Sequence, residues 1–189
     1  MQEPLPHGGL IRKVWIAEAG RYREHLLRLD RASRRSRFGG ALSDESVCRH
    51  ADLVFGMGHV VHGFFADGIL RGAAELNPFP GAREAEAALS IEPRWQSHGV
   101  GSALLQRTLL VARNRGIKFL HLECLADNAR MQQLARKFEA ELSFDYGSVI
   151  GEVTTAGLTP LSLLREALAD SHGFATAVLD EQSRLLKPV

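Results

Sequence analysis

The chain has 189 residues, 45% apolar and 24% charged, with a net charge of +1. That suffices for one domain with its own core, and the near-neutral balance argues against a nucleic-acid or anionic-membrane binder. No apolar run approaches the roughly 18 residues of a membrane span, so a cytoplasmic protein with no membrane partner is expected, its two cysteines, Cys48 and Cys124, as free thiols.

Residues 1–10 contain Pro and Gly and read as a loose arm. They lack the basic-then-apolar pattern of a secretion signal. Ile11 to Ala17 predicts a first strand. Gly20 to Arg31 predicts a helix, with Tyr22, Leu26 and Leu29 on one face. Arg28, Arg31, Arg34, Arg35 and Arg37 follow as a cluster. A patch for phosphate or an acidic partner is one reading; a solvated helix end, its cations meeting the C-terminal dipole, is favoured. Ser43 caps a short helix through Val47 and Ala51.

Val60 to Phe65 and Ile69 to Leu76 flank Ala66-Asp67-Gly68, a hairpin signal. A strand over Glu86 to Ile91 ends at Glu92-Pro93, where the sheet should open or bulge. The turn Gln96-Ser97-His98-Gly99-Val100-Gly101 leads into a helix from about Val100 to Arg115, with Gly116 at its end. Ile117 to Leu125 reads as an interior strand parallel to 86–91 through a right-handed crossover. Asn128 caps a helix carrying Met131, Leu134, Ala135 and Phe138. A second hairpin covers Leu142 to Val153. In the tail, Thr159-Pro160 starts a helix that Gly173 should close, and Asp180 to Leu186 adds a turn or two. The whole is α/β, a mixed sheet of six to seven strands flanked by helices. It divides into residues 11–154 and a helical C-terminal extension, 155–189, packed on the same domain.

The glycine turn is an anion site in principle. The first turn of a helix has N–H groups without partners, and its dipole favours negative charge. A dinucleotide fingerprint would need glycine where Leu104 stands, and a phosphate-binding P-loop would need a Lys-Ser/Thr end that is missing. Gln96, Gly99 and Gly101 fit Q-x-x-G-x-G between a strand and a long helix. This resembles the cofactor motif of the GNAT acyltransferases, and Asn128 to Phe138 resembles their next motif. The segment Leu29 to Phe38, with Ala85-Glu86-Ala87-Ala88 and Leu125 to Met131, is similar to the acetyltransferase domain of bacterial Pat-type protein lysine acetyltransferases.

The resemblance implies the GNAT fold and an N-acetyltransferase using acetyl-CoA as co-substrate, without a metal. Transfer would be direct, in a ternary complex, to a primary amine, by branch resemblance a protein lysine; a small amine and a non-catalytic acyl-CoA-binding module are the alternatives. It implies that strand 86–91 splays from 117–125, so that Leu89, Ser90 and Ile91 meet the pantetheine arm. Gln96, Ser97, His98, Gly99, Val100, Gly101 and Ser102 would cradle the pyrophosphate, with Asn128 and Met131 alongside. Glu86 matches the glutamate assigned as general base. An amine of pKa about 10.4 must lose a proton before it attacks, and a carboxylate of pKa about 4.3 needs burial or a water relay to take it. A backbone N–H near Leu89 or Ser90 would stabilise the oxyanion. Where many relatives carry a tyrosine as general acid, this chain has Ala135, leaving Tyr146 and Cys124 as substitutes.

The histidines carry blander readings. His59 and His62 should point to opposite faces of a strand, His121 reads as a satisfied core residue, and Cys48 with His50 lacks the partners of a zinc site. The tail is read as covering a sheet edge or forming a homodimer contact.

Overall fold

The computed structural model describes residue 5 and residues 8–185, residue 57 excepted; the arm expected over residues 1–10 and the chain beyond 185 fall mostly outside them. Seven strands form one sheet. They are β1 (Leu10–Val14), β2 (Val60–Ala66), β3 (Ile69–Pro78), β4 (Glu84–Ile91), β5 (Phe119–Leu125), β6 (Glu141–Asp145) and β7 (Ser148–Thr154), in the order β1-β2-β3-β4-β5-β7-β6. Only β4 and β5 are parallel; the other neighbours are antiparallel. One face carries α1 (Ala19–Arg28), α2 (Arg31–Phe38) and α3 (Asp44–Leu53). The other carries α4 (Val100–Asn114) and α5 (Ala129–Lys137), while α6 (Pro160–Leu185) runs from α4 across edge strand β1 to Arg12 and Arg21.

The core follows these layers. Every residue of β2 is buried, because helices cover both of its faces. Tyr22, Leu26, Val47 and Ala51 fill one side; Leu76, Ala87, Leu105 and Leu120 fill the other. The β2–β3 turn has positive φ at Asp67 and Gly68, as a two-residue hairpin matched to strand twist requires.

Three segments depart from the pattern read in the sequence. β1 stops at Val14, and a 3-10 turn, Ile16–Glu18, replaces its expected end. The Glu18 carboxylate is the cause: it accepts from Trp15 N and is clamped by Arg12 and Arg21. The single helix expected over 20–31 is two. Leu29 is extended, and the Asp30 carboxylate accepts from Ser33 N to begin α2. The arginine cluster is only partly a solvated helix end: Arg28, Arg31 and Arg35 are exposed, Arg28 reaching Glu92 and Leu70 O from the surface, while Arg37 is turned in to Glu75. In the tail, Gly173 does not close a helix. It lies within α6, where a Cβ would come 2.9 Å from Arg12 Cβ, so the glycine lets the helix cross β1 at close range.

Candidate active site

The site begins where the sheet comes apart. β4 and β5 pair only through Glu84↔Phe119, Ala85↔Leu120 and Glu86↔His121. From Ala87 to Ile91, β4 is held by β3 alone. Its end is drawn away by the Glu92 carboxylate, which accepts from Arg28 Nε at 2.9 Å and Arg71 Nη1 at 3.0 Å. His25 Nε2 lies 2.9 Å from Ser90 Oγ and adds a second anchor. These contacts belong to the α1 face and keep the parallel strands splayed.

A cavity of about 400 Å³ occupies the opening, within the range of small-molecule sites. Leu89 and Ile91 form its β4 wall. Gln96, Ser97, Gly99, Gly101 and Ser102 supply the glycine turn, and Asn128 and Met131 supply α5. Ser90, His98 and Val100, expected here too, do not line it. Strand alternation turns Ser90 to His25, Val100 is buried under Trp95 and Phe64, and His98 is exposed with Nδ1 2.6 Å from its own turn's Gln96 O. For these three only backbone is left to offer.

The turn is built to expose N–H groups. Ser97 has φ +61 and Gly99 φ +77. Gly99 is the N-cap of α4 without a side-chain cap bond, so the first-turn amides stay open. At Gly101 a Cβ would meet Ile91 Cδ1 at 3.3 Å and Leu134 Cδ2 at 3.6 Å, so any side chain there fills the cradle. Arg130 donates to Gln96 Oε1, and Lys137 Nζ lies 3.2 Å from Ser102 Oγ. Open amides, a glycine cradle and two cations form a donor set that fits the phosphates of acetyl-CoA. Among the described residues no group of His, Cys, Asp and Glu is arranged to hold a metal ion.

Gln96 is a strut as well as a wall. Its amide nitrogen donates to Ile91 O at 2.8 Å and Ser33 Oγ at 3.1 Å, while its oxygen accepts from Arg130. Asn128 accepts from Met131 N at 3.1 Å, the cap expected of it.

Sequence reasoning missed Ser33, Ser36 and Arg37 of α2 and Arg130, Gln133 and Lys137 of α5 on the wall. The α5 set was visible as a polar i, i+3, i+7 stripe. The α2 set was hidden because α2 itself was not seen.

Glu86 stands at the last paired position of β4, half-buried and outside the cavity lining. Burial raises its carboxyl above the ordinary range; Arg37 pulls it down, and Glu75 and Glu123 push it up. Glu75, fully buried on β3, accepts from Tyr22 OH and Arg37, with His50 Nε2 at 3.1 Å. His121 is not a core residue as expected; it is partly exposed, 2.9 Å from Glu84 and stacked on Phe79. Ala135 is buried beneath β7, 3.2 Å from where a Gly151 Cβ would stand. Tyr146 is fully exposed and Cys124, its thiol raised by burial, lies outside the cavity lining. Neither reaches the site.

Similar solved structures include the GNAT domain of S. lividans PAT (TM-score 0.69, 24% identity, 82% of this chain and 96% of that one). PaiA N-acetyltransferase from Thermoplasma acidophilum, solved with coenzyme A, gives TM-score 0.59 at 21% identity over 77% of this chain and 98% of that one. A cAMP-binding acyltransferase from Mycobacterium smegmatis matches 90% of this chain but 54% of its own, at TM-score 0.59 and 17% identity. No curated protein matches the sequence. The model of the acetyltransferase (GNAT) family matches residues 23–139, more than half of the chain, and the chain belongs to that family.

Proposed function

We propose that the protein transfers an acetyl group from acetyl-CoA to a primary amine, by branch resemblance a protein lysine, in a ternary complex. The observation that carries this reading is the end of the β4–β5 ladder at Glu86↔His121. It puts a carboxylate with raised proton affinity at the apex of a cleft whose other end is a glycine turn.

In this reading the amides of residues 99–102, with Arg130 and Lys137, hold the phosphates. Leu89 and Ile91 flank the pantetheine, and acetyl-CoA supplies the activated acyl group. Glu86 takes a proton from the incoming ammonium, directly or through water, and the raised pKa improves it as a base near neutral pH. The catalytic unit is residues 11–154, with 155–189 as a helical extension on the same domain.

A second reading is a non-catalytic acyl-CoA-binding module. One observation favours it: the two tyrosines of the chain are Tyr22, committed to Glu75, and Tyr146, out in solvent, so no phenol stands ready as general acid.

The test is an acetyl-transfer assay with acetyl-CoA against lysine-containing proteins and small amines, run beside acetyl-CoA binding. Binding with turnover of a protein lysine supports the first reading. Turnover of small amines alone moves the acceptor to the alternative class, and binding with no turnover supports the module.

A further inference from the structure

The direction of the Glu86 side chain fixes the face on which an amine loses its proton. Glu86 pairs with Asn77, two residues along β3 from Glu75, whose carboxylate meets Tyr22 of α1 and Arg37 of α2. Residues two apart on a strand share a face, so Glu86 points to the α1–α3 side. There α1 and α2 pack on β3 and β4. Beyond them the same face runs on over β5, β7 and β6 and lies open: Glu123, Glu141, Ser143 and Asp145 are exposed. An acceptor whose nitrogen reaches Glu86 has this surface in front of it.

That surface has one sign. Glu86 stands opposite His121, His121 opposite Glu152, and Glu152 opposite Glu141; directly opposite side chains share a face. Glu84 and Glu123 lie two residues along their strands from this row, and Asp145 four. Among the described residues no lysine or arginine ion-pairs with any of these six carboxylates. Arg37, which acts on Glu86, is bound to Glu75, and Arg35 to Asp127. Only the His121 imidazole stands among them, 2.9 Å from Glu84 and 3.9 Å from Glu152, stacked on the exposed ring of Phe79. In a chain of net charge +1 this is a segregated field. It draws cations to the base and turns anions away.

The shape points to a macromolecule. A small ligand is ordinarily held in a hollow that covers most of its surface, whereas this floor is open out to the edge strand β6. Neighbouring strands lie about 4.8 Å apart, so Glu152 is about 10 Å and Glu141 about 14 Å across the sheet from Glu86. Alternate residues of an extended segment are roughly 7 Å apart, which sets neighbours two to four positions from the acceptor over these two carboxylates.

We propose, resting on the acetyl-transfer reading above, that the acceptor is a lysine in a protein segment with further lysines or arginines two to four residues away, and that Glu141 and Glu152 select it by holding those cations.

Synthetic peptides with one central lysine and basic, neutral or glutamate flanks test this at saturating acetyl-CoA. The flanking cations are made arginine, so that only one lysine can react. Basic flanks should raise kcat/KM about 10-fold over neutral ones, and added salt should shrink the gap. Glu141→Gln/Glu152→Gln should raise KM for the basic peptide about 5-fold, with kcat and acetyl-CoA affinity unchanged, as two exposed pairs predict. Glu141→Lys/Glu152→Lys should reverse the order and favour the glutamate-flanked peptide, a gain that a damaged fold cannot mimic. Transfer indifferent to the flanks overturns the proposal and leaves acetyl transfer standing. So does a preference that survives the lysine pair, or turnover of a linear polyamine with no peptide used. Acetyl-CoA binding with no transfer to any amine removes the underlying reading, and this proposal with it.

Discussion

Arg37 and Glu75 join two layers of the molecule: the guanidinium is part of the cavity wall, and the carboxylate it binds is fully buried at the middle of β3. The pair, with Tyr22 and His50, is the polar heart of the α1–α3 side and lies on the same sheet face as Glu86. Removing one member strands the other in a place water does not reach. Arg37→Ala should therefore destabilise the fold by about 3–5 kcal/mol, read as a lower midpoint in urea at constant slope. Arg37→Lys should recover only part of this, since an ammonium cannot reproduce the guanidinium's contacts.

The same pair sets an acid limit. Glu75 is held down at about 2, against burial, chiefly by the Arg37 charge and the His50 contact. A carboxyl whose folded pKa is lowered contributes stability in full above its unfolded pKa of about 4.3. That contribution should disappear as pH falls from there through about 2. Glu75→Gln should remove this part of the dependence, flattening the slope of unfolding free energy below pH 4.5 while lowering stability at pH 7.

Glu86→Gln should lower kcat by about 10²–10⁴-fold and leave acetyl-CoA binding unchanged, as loss of a general base predicts. In the wild type the rate should fall on the acid side as Glu86 takes up its proton, at a pH above that of an ordinary carboxylate because burial raises it. Stopped turnover with weakened cofactor binding would instead mark Glu86 as part of the cradle.

Gly101→Val should abolish acetyl-CoA binding with little loss of fold, because its branches would enter the cradle between Ile91 and Leu134. Lys137→Ala and Arg130→Ala should each weaken binding about 5- to 10-fold, with a shallower salt dependence than the wild type. Calorimetric titration at two salt concentrations separates the two effects.

Ala135→Tyr, the direct attempt to supply the missing phenol, should cost several kcal/mol and add no rate. Position 135 packs under β7 at Gly151, and overpacking a filled core is itself destabilising. A thermal melt beside the assay decides it.

The sequence carried what local chemistry repeats: the hairpin at Asp67-Gly68, the cap at Asn128, the parallel crossover and the glycine turn. Each rests on a residue type that one conformation requires. Less legible was whatever depended on distant partners. α2 has a continuous charged stretch, RASRRSRF, whose meaning comes from Glu75 and Asp127, 38 and 92 residues from their arginines. Glu75 looked like any strand polar residue until the fold buried it. Ser90 and Val100 were expected at the site, but their side chains turn to His25 and into the core beside Trp95, a direction that period-two and helical geometry could have supplied. Gly173 read as a stop signal because glycine usually ends helices; its reason is the nearness of Arg12.

The short β4–β5 ladder has a consequence for how the cleft is filled. Since only three residue pairs join these strands, the gap beyond them is bridged by side chains and not by ladder bonds: Gln96 reaches Ser33 and Arg130, and Arg35 reaches Asp127. Widening it for a long, thin molecule therefore means parting a few surface contacts, with no backbone pairing to break. The Arg35→Ala variant should accordingly admit and release such a molecule faster, with the fold unchanged.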